Sequence, residues 1–298
     1  MNCHPLLLRL SQFFITLGAL IFLATLLLFS SWLSERSQLH NIAKSIAARS
    51  PRVEDQLSQL TAWVYQNKGF AKNTGYFLWK RLEATPLQVL QHGGDCEDKS
   101  KLLSTLAQEL GIPSTMAMLY HCEGDCRPVH TVALAKTQSG WTPLDAVYNI
   151  TFKNPDGTPI PVQQVMRQPD ILTARLDELA DERGPFDKVN RYKRNLETYT
   201  HLTTLNWEKN SLTRTVASII RFFGGNPRLT PRPLFLDDPK QFFSIAGFGL
   251  TALLLIVGVI IGRIGQLVAA PGDRPGEFRS TPASHAGRLG RNDAPQQL

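Results

Sequence analysis

Two long stretches of the sequence contain no charged residue, and this absence bears on where the protein lies. One runs from Leu10 to Ser34 and the other from Gln241 to Gly262. Each is long enough to supply the roughly 20 apolar residues that a helix needs to cross a bilayer. We therefore predict transmembrane helices at residues 10–34 and 241–262, with the lipid bilayer as a partner of the chain.

The sequence also lacks the small-x-small motif of a cleavable signal peptide between the first apolar stretch and Glu35. Arg9 precedes that stretch, and several arginines follow the second. Basic flanks remain in the cytoplasm. We predict an uncleaved anchor, both termini in the cytoplasm, and an intervening domain outside it. In a bacterium this is a two-pass protein of the inner membrane with a periplasmic domain.

The sequence has no internal repeat and no basic–aromatic pattern of the kind that binds nucleic acid. Although the formal net charge is +7, charges of both signs are scattered along the central region. We predict no nucleic-acid partner. The predicted organisation is a cytoplasmic N-terminus at 1–9, an extracytoplasmic domain with a C-terminal helical extension at 35–223, a Pro-rich linker at 224–240 and a disordered cytoplasmic tail at 263–298.

Cysteine is scarce, with four residues in the chain. Cys122 and Cys126 bracket a three-residue loop, so we predict a disulfide in an oxidising compartment. A loop this small gains only roughly 2 kcal/mol in the chain-entropy model, so its role would be to shape the approach to His130. A zinc site that adds His121 and His130 is the alternative. Its spacing matches no recognised zinc pattern, and we predict neither metal nor cofactor.

Cys96 lies in the run HGGDCEDKSKLLSTLAQELGIP, at the start of a predicted helix. Two glycines allow a tight turn before it, and Asp95 is a favourable N-cap residue. A helix N-terminus favours the thiolate, which is the nucleophilic form of cysteine. A lone cysteine in this place is more often a structural residue of the core. Apolar residues at helical spacing predict the buried face: Leu102, Leu103, Leu106 and Leu110.

Two partners for Cys96 lie on predicted strands. His130 begins the alternating segment HTVALAK, and a second short strand ends at Asp145. If Lys136 pairs with Trp141, His130 and Asp145 share a face as diagonal neighbours. With Cys96 at the same end of the sheet, the set has the order of a nucleophile, a base and an orienting carboxylate.

The segment from about Thr61 to Phe152 resembles the transglutaminase-like superfamily of cysteine enzymes. The motifs are GGDCEDKS, LGIPSTM, the strand of His130 and WTPLDAVYN. The resemblance implies an α+β fold with a compact papain-like core, in which the helix bearing Cys96 packs on an antiparallel sheet. The two predicted transmembrane helices flank this core. The resemblance also implies that Cys96 is the nucleophile, His130 its proton partner and Asp145 the residue that orients His130. Bacterial members with a GDCED motif include periplasmic cysteine peptidases.

Two features of the predicted site remain open. Glu97 and Asp98 directly follow Cys96, and nearby carboxylates disfavour a thiolate. The backbone N–H of Cys96 is the natural first donor to an oxyanion. The second donor has three candidates, which the sequence does not separate: Gln88, Gln91 and His92.

From these features we predict a membrane-tethered cysteine enzyme that acts by thioester acyl transfer on an extracytoplasmic protein or peptide amide. Hydrolysis is favoured because water is abundant and no amine site is identifiable. The alternatives are transglutaminase-type crosslinking and a non-catalytic binding or assembly module of an envelope system. The motifs describe formation of the thioester and do not identify its acceptor.

Outside the motifs, helical spacing predicts further helices at 53–67, 171–183 and 207–223. The last is amphipathic, with Lys209, Arg214 and Arg221 on its polar side. Such a helix lies on a membrane surface or packs on the domain, and the sequence favours neither.

Overall fold

The computed structural model describes residues 4–47, 50–70, 76–79, 82–122, 126–185, 187 and 189–269. Contacts divide the chain into two compact units, residues 1–17 with 253–298, and residues 18–252. The described helices are α1 (His4–Ala47), α2 (Val53–Asn67), α3 (Pro86–His92), α4 (Cys96–Glu109), α5 (Val162–Arg167), α6 (Thr173–Arg183), α7 (Val189–Tyr192), α8 (Ser211–Phe222) and α9 (Pro239–Ala269). The strands are β1 (Ser114–His121), β2 (Arg127–Thr137), β3 (Gly140–Asp145) and β4 (Ile150–Thr151).

The strands form one antiparallel sheet in the order β1-β2-β3-β4, and helices cover both of its faces. Ala133 and Ala135 of β2 belong to the core that α2 and α4 complete. Val132 and Leu134 alternate with them and belong to a second core, formed with the segments from α5 to the 3-10 segment Lys193–His201. The predicted α+β fold, with the helix of Cys96 packed on an antiparallel sheet, is therefore confirmed.

The predicted register of β2 and β3 is also observed. Lys136 pairs with Trp141, and Ala133 pairs with Leu144. Because side chains alternate along a strand, His130 and Asp145 lie on the face that bears Val132. That face is covered by the C-terminal part of the domain, whereas α4 covers the other.

Helix α1 extends well beyond the predicted span of 10–34. No glycine or proline interrupts the sequence between Ser34 and Ala47, so nothing ends the helix at the close of the apolar stretch. Leu39 and Ala43 are fully buried in the core with α2 and α4, and His40 Nδ1 lies 2.8 Å from the carbonyl oxygen of Glu109. The C-terminal part of α1 is thus part of the domain.

Helix α9 likewise exceeds the predicted span of 241–262, because apolar residues continue past Arg263. The predicted tail at 263–298 therefore begins with helix, and residues 270–298 lie outside the described part of the chain. In the unit that contains the outer ends of α1 and α9, Ser11 Oγ donates to the carbonyl of Gly258 at 2.7 Å. Both helices are long and apolar enough to span a membrane.

The C-terminal segments differ from their predicted bounds for local reasons. The predicted helix at 171–183 starts with a 3-10 turn, Pro169–Leu172, before α6. The predicted helix at 207–223 begins only at Ser211, because Asn210 forms a capping box with Thr213. The linker at 224–240 is attached to the domain, since Arg228 Nε donates to the carbonyl of Leu202 at 3.0 Å.

Candidate active site

Cys96 is the first residue of α4, and the N-cap of this helix holds it in place. Asp95 Oδ1 accepts the backbone N–H groups of Glu97 at 2.9 Å and Asp98 at 3.3 Å. Asp98 Oδ2 in turn accepts the N–H of Asp95, which completes a capping box. Ser100 Oγ donates to the carbonyl of Thr131 at 2.9 Å, which links α4 to the strand of His130.

The loop before Cys96 requires both of its glycines. Gly93 has a φ of +76°, in the left-handed region that glycine adopts at little cost. A Cβ on Gly94 would lie 2.3 Å from the Cβ of Asp98, closer than any real contact. The side chain that closes the capping box therefore occupies the space over Gly94, and a larger residue there would displace the start of α4.

His130 and Asp145 form a buried pair at the end of the sheet. His130 Nε2 lies 2.6 Å from Asp145 Oδ2, and the two residues are 6% and 0% exposed. Asp145 Oδ1 accepts the backbone N–H groups of Val147 at 2.8 Å and Tyr148 at 3.1 Å. With both oxygens engaged, the carboxylate fixes the orientation of the imidazole.

The side chain of Cys96 is close enough to His130 to raise the pKa of its imidazole. Since Nε2 of His130 faces Asp145, Nδ1 is the nitrogen left for the sulfur. Burial alone lowers the pKa of His130, but the Asp145 carboxylate and the Cys96 side chain outweigh it and raise the pKa to about 10. The ring is therefore an imidazolium at neutral pH, which stabilises a thiolate on the half-buried Cys96.

Tyr192 and Tyr199, which were not predicted from the sequence as site residues, lie beside Asp145. Tyr192 is fully buried, its hydroxyl hydrogen-bonds to that of Tyr199, and it lies close enough to Asp145 for the carboxylate to affect its pKa. Burial, with the neighbouring Tyr199 and Asp145, raises the pKa of Tyr192 well above its usual value, so its hydroxyl keeps its proton. No motif or spacing in the sequence relates Tyr192 and Tyr199 to Asp145.

Burial makes the two carboxyl groups after Cys96, those of Glu97 and Asp98, harder to ionise than free carboxyl groups. Burial raises the pKa of Glu97, and Glu83 raises it further, against the opposing effects of Lys101 and Arg232. Burial also raises the pKa of Asp98. Both shifts oppose the charged carboxylates, which are the forms that disfavour a thiolate at Cys96.

The three candidates for a second oxyanion donor lie on α3. Gln88 is engaged in a capping box with Thr85, and its Nε2 donates to the carbonyl of Tyr76 at 3.3 Å. Gln91 and His92 are exposed at the end of the helix. Within the described residues, the N–H of Cys96 meets no acceptor, as expected of a first oxyanion donor. The second donor stays a prediction.

Cys122 and Cys126 are joined in a disulfide. The alternative zinc site is not formed, because these sulfurs are bonded to each other and His130 faces Asp145. The disulfide borders a cavity of about 510 Å³, which Tyr120 and Trp207 also line. Cys96 is not among its lining residues. Burial and the charge of Glu97 raise the pKa of Tyr120 in the cavity wall.

Comparisons with known proteins agree with this fold. Residues 40–146 match the model of the transglutaminase-like superfamily. No curated protein matches the chain. A candidate cysteine protease from Cytophaga hutchinsonii is 18% identical, with a TM-score of 0.33 over 42% of this chain and 40% of that one. A candidate protease from Parabacteroides distasonis is 15% identical, with a TM-score of 0.30 over 37% of this chain and 23% of that one.

The chain thus spans less than half the length of either solved structure. These similarities are too low to assign a substrate or an activity. The match of residues 40–146 includes the whole segment from α2 to Asp145, but it ends before Tyr192 and Tyr199. Residues 40–146, which include Cys96, His130 and Asp145, are therefore similar in sequence to the transglutaminase-like superfamily.

Proposed function

We propose that the protein is a membrane-tethered cysteine enzyme that hydrolyses an amide bond of an extracytoplasmic protein or peptide. The observation that carries the proposal is the chain of contacts from Cys96 through His130 to Asp145. In this chain a nucleophile, a base and an orienting carboxylate follow one another in the order that acyl transfer uses. Each group also has a partner suited to its role.

In the proposed reaction, the Cys96 thiolate attacks the carbonyl carbon of the amide. The N–H of Cys96, at the N-terminus of α4, donates to the oxyanion that develops. The imidazolium of His130 then gives its proton to the leaving amine, and a thioester remains on Cys96. Neutral His130 next takes a proton from water, which attacks the thioester, releases the carboxylic acid and restores the thiolate.

A pair of variants of the nucleophile tests this chemistry. Cys96→Ser keeps a weaker nucleophile, whereas Cys96→Ala removes it. Full-length protein is incubated with a peptide mixture in water enriched in oxygen-18 and analysed by mass spectrometry. We expect cleavage that depends on Cys96, with oxygen-18 incorporated into the new carboxyl groups. We also expect an added acyl mass on residue 96 of the native protein and of Cys96→Ser, and none in Cys96→Ala. In both variants the rate of repeated cleavage should fall to the background rate.

Three results would contradict the proposal. Equal cleavage by Cys96→Ala would place the chemistry elsewhere. An acyl mass on Cys96 that is resolved only by an added primary amine would favour crosslinking. Peptides retained by the native protein and by Cys96→Ala alike, without an acyl mass on either, would favour a non-catalytic binding module.

The proposed location follows from the two apolar helices and the basic residues beside them. We expect a reporter enzyme that works only in the periplasm to be active when fused after Lys240, and inactive when fused after Leu298. A reporter that works only in the cytoplasm should give the converse pattern. An inactive periplasmic reporter after Lys240, with the fusion present in the membrane fraction, would mean that the orientation is inverted.

A further inference from the structure

Helix α8 presents its apolar face away from the domain. Four of its large apolar residues and the phenylalanine after it are exposed, by 71% at Leu212, 39% at Val216, 51% at Ile219, 83% at Phe222 and 80% at Phe223. A surface helix normally turns its apolar side toward the core. In α8 the fully buried residue is instead the small Ala217. A contiguous apolar face left in water is unfavourable and indicates a contact surface.

The exposed residues lie on one side of the helix. At about 100° per residue, Leu212, Val216, Ile219 and Phe223 fall within a narrow sector. Arg214 and Arg221 project from the opposite side. The division of the helix into an apolar and a basic side is the pattern of helices that lie in the interface of a bilayer.

The charge around α8 is of one sign. From Lys209 to Arg232 the sequence has basic residues and no Asp or Glu. Arg232 is paired with Asp237, but Arg214 and Arg221 on α8 are exposed. Near an anionic membrane surface each of these two cations contributes to binding. Only residues 223–238 separate α8 from α9, one of the two helices able to span a membrane, so α8 cannot lie far from a bilayer along the chain.

We propose that α8 is an interfacial helix that docks on a bilayer with anionic headgroups, burying Leu212, Ile219 and Phe223 among the lipids. The contact gives the domain a second attachment besides the spans. It rests on the proposed membrane tether and is independent of the chemistry at Cys96. The sequence left two positions open for this helix, on a membrane surface or packed on the domain. Because the apolar face of α8 does not pack on the domain, the membrane surface is the position that we propose.

Spin labels at two neighbouring positions test the proposal. Full-length protein carrying Cys3→Ser and Cys96→Ser, with Cys122 and Cys126 still bridged, receives either Ile219→Cys or the matched control Ser218→Cys. Both positions are exposed, so neither substitution disturbs the core. The labelled proteins are placed in nanodiscs of phosphatidylcholine with phosphatidylglycerol. We expect the label at 219, among the lipids, to collide with dissolved oxygen and to be shielded from a water-soluble nickel complex. The label at 218, on the water side, should collide with the nickel complex.

The charge of the lipid is tested in the same samples. We expect Arg214→Gln to lower the ratio of docked to undocked helix about fivefold in the anionic nanodiscs, and to have little effect in phosphatidylcholine alone. An equal ratio in both lipids would contradict the role of the headgroups. Equal access of nickel to positions 218 and 219 would overturn the docking itself. Shielding of position 219 that persists in detergent, with dipolar coupling between labels, would overturn it in favour of a second copy of the chain.

Discussion

Replacing His130 by alanine is expected to slow the alkylation of Cys96 by iodoacetamide near neutral pH on the order of 100-fold. In the native protein the imidazolium of His130 stabilises the thiolate that reacts with the reagent. Alanine removes the positive charge beside the sulfur, so the reacting thiolate loses the group that stabilises it. The measurement is the rate of labelling of Cys96, followed by mass spectrometry in a Cys3→Ser background.

The alanine variant has a second effect that must be separated from the first. Asp145 is fully buried, and without His130 its Oδ2 loses a charged partner, which is costly in a protein interior. His130→Gln is the matched control, because its amide still donates to Asp145 but does not titrate. We expect both variants to label slowly while resisting proteolysis. Labelling at the native rate in His130→Gln would remove the basis for a catalytic pair and favour the binding module.

The parts of the site that the sequence predicted are those set by local rules. The N-cap of Asp95 and the glycines before it place Cys96 at the start of a helix. The short turn between Lys136 and Trp141 sets the register that puts His130 beside Asp145. In both cases residues close in the chain decide the geometry.

The parts that could not be predicted depend on packing between distant segments. Tyr192 meets Asp145 only because the C-terminal segments cover one face of the sheet. The same periodicity that predicted an amphipathic helix gave no information on which side of α8 faces the domain. The length of α1 beyond Ser34 is likewise a tertiary effect, since its last turns are stabilised by burial of Leu39 and Ala43.

Replacing Asp145 by asparagine is expected to slow both Cys96 alkylation and any Cys96-dependent hydrolysis by roughly 100-fold, although the two side chains have the same shape. The backbone N–H groups of Val147 and Tyr148 already occupy Oδ1 and require an acceptor there. The amide oxygen must therefore take that position, which turns the NH₂ group toward His130. Nε2 of His130 then has to accept, so a neutral ring carries its proton on Nδ1, the nitrogen that faces the sulfur.

This change of tautomer has a signature that loss of stability does not produce. With Asp145 present, the pKa of His130 is raised, so iodoacetate, an anion, should be favoured over iodoacetamide until the pH rises toward about 10. In Asp145→Asn the effect of burial dominates, the pKa of His130 falls, and the preference should already be absent near neutral pH. Tyr192→Phe keeps the charge of Asp145 but removes a hydroxyl beside it. We therefore expect alkylation of Cys96 to be only about tenfold slower, with the preference for iodoacetate intact. A preference that survives in Asp145→Asn would show that the carboxylate does not hold His130 in its charged form, and the assignment of Asp145 as the orienting residue would have to be abandoned.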